Sequence, residues 1–357
     1  MVRLGKPPLQ PRQHRTKRHR YDNRPRQKNI LLLAKISPAL TGEKIETFAG
    51  FVFFTEEHGV FYQITDHDSS GALAATIFFA NVSAVQLEDH LGDIIRKARK
   101  MTGTSATSAA HAAAISEPEL ATLEDSGQCA REINFPALAA LIGLDTKKLQ
   151  GIANGWLPAA DDLQRWQHLR VFTTAGDGLT VNCLLAWDAT TREAALFDTG
   201  IDAQPVLDCL AENKLALRHI FLTHSDWDHI DALPKIRTAF PAAQIHSAIK
   251  AAPKSQQLQP GEVFSLGNLQ ISHRETPGHA DDGVTYFISG WPNNAPRAAI
   301  VGDTILAGSI CNGNGQWELA VKKICEEILT QPDTTLLCPG HGPVTTVAQE
   351  KIHNPFF

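Results

Sequence analysis

The sequence predicts an α/β fold for residues 168–357, with two β-sheets packed face to face and helices on their outer sides. Short β-prone runs alternate there with helical segments, and each run ends near a polar or glycine-containing turn. The runs include "TVNCLLAW", "HIFLTHSD", "GVTYFIS" and "TTLLCPGHG". The helical patterns fall at 203–214, 230–240 and 315–329. Strands and helices mixed over about 190 residues favour a two-sheet sandwich covered by helices.

The residues before this sandwich divide into four segments. Residues 1–29 hold ten Lys and Arg with one Asp, which predicts a basic disordered tail. Residues 30–101 contain strand-like runs followed by an amphipathic helical pattern, which predicts a small α+β domain of unknown role. Residues 102–125 are rich in Ser, Thr and Ala, so we predict a linker. Residues 126–167 contain two short helical patterns around a "GLD" turn and predict a helical hairpin.

Charge and hydropathy narrow the classes of partner. Outside the basic tail the chain carries 23 Lys and Arg against 37 Asp and Glu, and an acidic body disfavours nucleic acid as the main partner. Only the tail offers a weak contact for RNA or an anionic surface. No apolar stretch approaches the roughly 20 residues that cross a bilayer, so no membrane span is predicted. The six cysteines show no C-x-x-C spacing, which predicts buried free thiols and a reducing, cytoplasmic location.

Residues of the types that bind metals follow the predicted strands of the sandwich. They lie in the fragments "FDTG", "THSDWDH", "TPGH", "VGDT" and "PGHGP". Loops after strands can bring side chains together without disturbing the core, and the flanking glycines let the backbone turn sharply. Each fragment alone is an ordinary polar turn, but the whole series predicts a site for two metal ions. Its residues are Asp198, His224, Asp226, Asp228, His229, His279, Asp303 and His341.

This series of fragments resembles the metallo-β-lactamase fold superfamily. The C-terminal stretch "CPGHGPVTTVAQEKIHNPFF" most resembles its glyoxalase II-type, hydroxyacylglutathione hydrolase-like members. The resemblance covers about residues 168–357 and implies an αββα sandwich with a dinuclear metal centre. By position it implies that the first metal ion is bound by His224, Asp226 and His279. It implies that the second is bound by Asp228, His229 and His341, with Asp303 bridging the two and Asp198 behind them to orient ligands.

Position 226 departs from the family pattern H-x-H-x-D-H, because Asp226 stands where the second histidine is expected. Aspartate can bind zinc, so the site is retained. The additional carboxylate makes the centre formally neutral once a bridging hydroxide is counted, one unit less positive than usual. Such a centre should acidify water less and suit oxygen-preferring ions better. We therefore expect two divalent metal ions, with zinc first and iron or manganese as alternatives because of Asp226.

The resemblance implies a hydrolase in which a metal-bridged hydroxide cleaves a thioester or ester of a small hydroxyacyl-thiol-like substrate. Asp303 and Asp228 would be the catalytic carboxylates, the first as bridge and the second as a hydrogen-bond partner of the hydroxide. One alternative is a persulfide dioxygenase-like enzyme with a single iron held by His224, His279 and Asp303. Another alternative is a degenerate site that serves a binding or regulatory module.

Glyoxalase II enzymes add a C-terminal helical region that helps to hold glutathione. This chain ends soon after "PGHGP", which argues against specific glutathione binding and leaves the use of glutathione open. Our hypothesis is that the helical hairpin at 135–158, with Trp156 and Trp166 nearby, shapes the substrate pocket instead.

Overall fold

The computed structural model describes residues 51–52, 61–67, 73–78, 85–159 and 163–357. Its backbone contacts divide the chain into two units, Met1–Ala84 and Val85–Phe357. The tail predicted at 1–29 lies outside the described residues.

The first unit contains a three-stranded antiparallel sheet. Its strands, in sheet order, are β1 (Phe51–Val52), β2 (Phe61–His67) and β3 (Leu73–Phe78). The helix that we expected to complete an α+β domain at 30–101 belongs to the second unit, so that domain boundary is wrong. The physical reason is burial, because Ile94 and Ile95 on this helix pack into a core made by the helices that follow.

Helices at the start of the second unit share one hydrophobic core, and we call them the helical cluster. They are α1 (Leu91–Met101), α2 (Ala106–Ala113), α3 (Glu117–Ser126), α4 (Phe135–Ile142) and α5 (Thr146–Ala153). The pair α4 and α5 forms the two helices predicted around "GLD". Gly143 ends α4 with φ of +73°, a conformation that suits glycine.

The linker predicted at 102–125 is wrong, because α2 and most of α3 occupy it. Its small polar residues act as helix caps: the side chains of Ser105 and Ser116 accept hydrogen bonds from the first turns of α2 and α3. Its alanines, such as Ala109 and Ala113, are fully buried and allow the helices to approach closely. Amino-acid composition alone does not distinguish closely packed, capped helices from a linker.

The remainder of the second unit is the αββα sandwich that the sequence predicts. The first sheet runs in order through β4 (Leu169–Gly176), β5 (Leu179–Trp187), β6 (Glu193–Phe197), β7 (Ala216–Phe221) and β8 (Gln244–His246). The second contains β9 (Val263–Leu266), β10 (Leu269–Glu275), β11 (Val284–Ser289), β12 (Ala298–Gly302), β15 (Leu336–Pro339) and β16 (Thr345–Thr346), in the order β16-β15-β12-β11-β10-β9. A separate hairpin pairs β13 (Ile305–Leu306) with β14 (Ser309–Ile310).

Helices cover the outer faces of both sheets. They are α6 (Gln204–Glu212), α7 (Trp227–Ile230), α8 (Leu233–Ala239), α9 (Trp317–Lys323), which continues as a π-helical turn at Ile324–Ile328, and α10 (Val347–His353). One core lies between the sheets and centres on Phe197, Phe221 and Tyr286. Separate outer cores pack α6 and α8 on the first sheet and the π-helical turn on the second. Alternate residues of the strands therefore face different cores.

Two further sequence predictions concern the membrane and the cysteines. Among the described residues, no helix combines the length and apolar character needed to cross a bilayer. All six cysteines are free thiols, as predicted. Cys183, Cys311 and Cys338 are buried, whereas Cys325 is exposed.

The close contact between α1 and α3 predicts a strong effect at Gly92. A Cβ atom there would lie 1.7 Å from the carbonyl oxygen of Leu123, so Gly92→Ala should lower the free energy of unfolding by about 1–3 kcal/mol. Gly151 in α5 is the matched control, because a Cβ there meets no atom of the described part of the chain within 4 Å. Gly151→Ala should be neutral or stabilising by up to about 1 kcal/mol. Chemical denaturation measures both changes, and equal effects would contradict this packing.

A pair of histidines outside the candidate metal site lies in the sandwich core. His219 Nδ1 and His246 Nε2 are 3.0 Å apart, and the ring of His246 packs against Phe221 and Phe264. Burial lowers the pKa of His246 to about 4. Between about pH 4 and pH 6.5, His246 is therefore mostly neutral in the folded protein but mostly protonated in the unfolded chain, where its pKa is about 6.5.

We therefore expect stability to fall as the pH drops from about 6.5 towards 4, because the unfolded state binds more protons. His246 should contribute a loss on the order of 2 kcal/mol between about pH 7 and pH 5. His246→Phe keeps an aromatic ring in place and should reduce the pH dependence by that amount. Urea unfolding of both proteins at the two pH values measures the change in the free energy of unfolding. An equal loss of stability in the two proteins would show that His246 is not responsible.

Candidate metal centre

Loops at one edge of the sandwich hold the site residues that the sequence predicts. Asp198 follows β6, and the segment 224–229 follows its parallel neighbour β7. Asp303 follows β12, and His341 follows β15, which is again a parallel neighbour. His279 lies in the loop after β10. Carboxyl ends of parallel strands meet at one edge of a sheet, so this topology brings distant fragments together.

The first group contains His224, His279 and Asp303, each of which offers one ligand atom within 4.8 Å of the others. Asp226 lies beside this group. Its Oδ2 atom is 3.2 Å from His279 Nε2 and 3.7 Å from His224 Nε2. Its side chain is 52% exposed, the most accessible of the set. The carboxylate is within reach of the centre, and its role as a ligand stays a prediction.

The second group contains Asp228, His229 and His341, again with ligand atoms within 4.8 Å of one another. Asp303 connects the groups. Its Oδ1 atom is 3.4 Å from His229 Nε2, and its Oδ2 atom is 3.3 Å from His341 Nε2 and 3.7 Å from His279 Nε2. One carboxylate thus faces histidines of both groups, which is the geometry that a bridging ligand requires.

A hydrogen bond at Nδ1 orients each histidine of the two groups. Three of these bonds go to oxygens that only accept: His229 to Asp198 Oδ2 (2.9 Å), His279 to the backbone oxygen of Asn312 (2.9 Å) and His341 to the backbone oxygen of Thr180 (2.6 Å). Nδ1 must therefore carry the proton in each ring. The lone pair of a neutral ring is then on Nε2, the atom that faces the centre.

Thr223 extends this pattern to His224. Asp198 accepts hydrogen bonds from the backbone N–H and from the hydroxyl of Thr223, both at 2.7 Å. Because the hydroxyl gives its only hydrogen to Asp198, it must accept from His224 Nδ1, which is 3.0 Å away. Asp198 therefore orients His229 directly and His224 through Thr223. The sequence analysis missed Thr223, although it precedes His224 in "FLTHSDWDH".

Buried atoms without partners show that the residues fit metal ions. His224 Nε2, His229 Nε2 and Asp303 Oδ1 are buried and have no hydrogen-bond partner among the residues that the structure describes. Each such atom costs on the order of 1–3 kcal/mol, and coordination to a cation would satisfy all three. The space also depends on Gly340, where a Cβ would lie 2.4 Å from Asp303 Oδ1 and 2.5 Å from His229 Cε1. Imidazole and carboxylate donors of this kind suit zinc, iron or manganese.

Opposite charges dominate the electrostatics of the metal-free site. Burial would lower the pKa of His229, but Asp198 and Asp303 outweigh it and raise the pKa to about 10. Burial is likewise outweighed at His341, where Asp228 and Asp303 raise the pKa to about 11. Burial would raise the pKa of Asp303, yet His229 and His341 hold it well below its usual range. The carboxylates of this site therefore require positive charge beside them, which protons or cations can supply.

The segment that leads into the helical cluster also reaches this centre, which the sequence analysis did not predict. A Cβ atom on Gly342 would lie 3.1 Å from Glu88 Cβ, so Glu88 packs beside the loop of His341. Burial raises the pKa of the Glu88 carboxyl above its ordinary value, and the nearby His341 offsets only part of this shift. Glu88 is distant in sequence from every metal-binding fragment, and no local motif marks it.

Comparison with known proteins identifies relatives of the sandwich. Residues 176–341 match the family model described as the metallo-beta-lactamase superfamily. The hydroxyacylglutathione hydrolase GloC of Haemophilus influenzae is 26% identical over 201 residues, which are 49% of this chain and 92% of that protein. The hydroxyacylglutathione hydrolase of Hahella chejuensis is 40% identical over 118 residues, 32% of this chain and 44% of that protein. The crystal structure of ETHE1 from Myxococcus xanthus is similar over 52% of this chain and 83% of its own, with 28% identity and a TM-score of 0.46.

The raised pKa values of His229 and His341 predict proton release when metal binds. Metal-free protein at about pH 7 should release at least about two protons as it takes up two Zn²⁺ ions, because a coordinating imidazole must be neutral, and ionisation of a bound water would add another. Apparent affinity should rise with pH, since fewer protons then compete with the metal. Titration calorimetry in buffers with different heats of ionisation measures the release. Binding without proton release would contradict the charge arrangement.

Proposed function

We propose that the protein is a dinuclear metallohydrolase that cleaves thioester or ester bonds, because residues 176–341 match the model of the metallo-beta-lactamase superfamily. The observation that carries the proposal is the pair of ligand groups joined by Asp303, with buried Nε2 atoms that lack partners. Relatives named hydroxyacylglutathione hydrolase support a small acyl-thiol substrate.

The ligand assignment follows from the two groups. His224, Asp226 and His279 would hold one ion, Asp228, His229 and His341 the other, and Asp303 would face both. Two divalent ions held by these residues would supply Lewis acidity to a substrate carbonyl and would make a water molecule more acidic. The protein holds its own groups ready for this chemistry, since the Nδ1 contacts fix the imidazoles before substrate arrives.

Asp228 has a second role in this proposal. Burial would raise the pKa of its carboxyl, but the imidazoles of His341, 3.4 Å away, and of His229 lower it, so the group stays ionised. An ionised carboxylate accepts hydrogen bonds only, and Asp228 would therefore orient the O–H of the attacking water. Asp228 and Asp303 are the carboxylates that we assign to catalysis.

Asp226 bears on the identity of the metal. The hydrogen bond from His279 lowers the pKa of its carboxyl, so Asp226 adds a full negative charge beside the first group. That charge replaces a neutral imidazole and lowers the net charge of the loaded centre by one unit. Zinc is the expected metal, and the additional oxygen donor makes iron or manganese the alternative.

A single-iron oxygenase is the second candidate, because His224, His279 and Asp303 form a complete group by themselves. Two histidines and one carboxylate are the ligand set of non-haem iron oxygenases. The presence of the second group favours the dinuclear hydrolase. A persulfide substrate would be the one to test for the oxygenase.

Metal content and turnover together test the proposal. Purified protein should contain close to two equivalents of Zn, Fe or Mn and should hydrolyse a hydroxyacyl thioester. His279→Ala and Asp303→Asn should each reduce kcat by a factor on the order of 10³ while the circular dichroism spectrum is kept. His111→Ala, an exposed histidine on α2, is the control and should retain full turnover.

Other outcomes would redirect the assignment. One equivalent of iron with persulfide oxidation would support the oxygenase. Protein that binds no metal after reconstitution would support a binding module, and thioester turnover that survives in either site variant would end the hydrolase proposal.

A further inference from the structure

A buried ion pair ties the helical cluster to the loop that supports His279. Asp89 and Lys97 have side chains only 10% and 12% exposed. Lys97 Nζ donates hydrogen bonds to Asp89 and, at 2.9 Å, to the backbone oxygen of Ile310. The hydroxyl of Ser309 donates to the same Asp89 carboxylate. Strand β14 is thus fastened to α1 through the backbone of Ile310 and to the segment just before α1 through the side chain of Ser309.

Helix α10 holds the other side of the same hairpin. Asn354 Nδ2 donates to the backbone oxygen of Ser309 at 2.9 Å. The backbone N–H of Gly308 donates at 3.0 Å to Glu350, which is fully buried. With partners on both sides, residues 308–310 have little freedom to move.

Strand β14 leads directly into the contact with His279. The backbone oxygen of Asn312, two residues after Ile310, accepts the hydrogen bond from His279 Nδ1. Asn314 Nδ2 donates to the backbone oxygen of His279 at 2.6 Å. A shift of this loop would therefore turn the imidazole of His279 away from its neighbours in the first group.

We propose that the Asp89–Lys97 pair is a positioning device that clamps β14 and thereby fixes His279 for the first metal ion. It acts through the Asn312 carbonyl, and neither residue is a metal ligand. The second group has different supports, because His229 rests on Asp198 and His341 on the Thr180 carbonyl. Loss of the clamp should therefore weaken one metal position and spare the other. The inference rests on the metal centre of the proposed function and assigns the helical cluster a part in it.

Cobalt binding tests this selectivity in variants of the full chain that each keep only one of the two ligand groups. His341→Ala leaves the first group intact, and His279→Ala leaves the second. Adding Lys97→Met removes the ammonium group and keeps most of the side-chain stem. Co²⁺ affinity should fall about tenfold in the His341→Ala background, with a changed visible absorption band, and should stay the same in the His279→Ala background. Lys97→Arg, which keeps the cation, should restore affinity in the first background.

Lys148→Met is the matched control. Lys148 lies in α5, and its Nζ donates to the backbone oxygens of Lys351 (2.7 Å) and Phe357. It fastens the helical cluster to the C-terminal residues without touching β14, so its loss should leave Co²⁺ affinity unchanged in both backgrounds. If Lys97→Met does not fold, Asp89→Asn provides the same comparison, because it keeps the side-chain shape and removes the charge.

Specific results would overturn the clamp. Equal weakening in both backgrounds, unchanged affinity with Lys97→Met, or an equal effect of Lys148→Met would each do so. Failure of the metal centre itself is distinguishable, because the chain without any substitution would then bind no Co²⁺. In that case both proposals fall, whereas Co²⁺ binding without selectivity removes the clamp alone.

Discussion

The shared carboxylate of Asp303 is the constraint on which the candidate centre depends. It is almost fully buried and lies within 3.7 Å of the Nε2 atoms of His229, His279 and His341. A charge removed from water in this way needs compensation by cations or protons. The surrounding loops must therefore all lie close to Asp303. Displacement of any one of them would remove a histidine that balances the buried negative charge of Asp303. The sandwich achieves this by placing parallel strand ends at one edge.

The supports of the histidines come from different parts of the chain. Asp198 on the first sheet holds two rings, directly and through Thr223. Backbone carbonyls of Thr180 and Asn312 hold the other two. Rings fixed at Nδ1 lose little further freedom on metal binding, so the arrangement is prepared before an ion arrives. Asp198 thus connects the two groups, whereas His279 and His341 rest on separate backbone carbonyls.

Much of the sandwich and of the site could be predicted from sequence because the signals are local. A strand run followed by His or Asp and glycine, as in "VGDT" around Asp303, carries both fold and chemistry in a few residues. The supports at Asn312 and Thr180 could not be predicted, because they use carbonyl groups that every residue possesses. The contacts of Glu88 and Asp89 could not be predicted either, because several of the residues that they contact lie far away along the chain. The segment 102–125 was misinterpreted because serine and alanine suit linkers and closely packed helices equally, and only tertiary packing separates the two.

The hairpin between β13 and β14 inserts Gly308 against the helical cluster, where a Cβ would lie 2.9 Å from both Ile152 and Trp156. Phe356, after α10, packs on the core of the cluster as well as on that of the second sheet. The helical cluster and Phe356 therefore share a buried interior with the sandwich, yet both lie outside residues 176–341, the part that matches the family model. A gene fragment trimmed to those limits would leave apolar surface open to water and invite aggregation. The inactivity of such a fragment would say nothing about the chemistry of the intact protein.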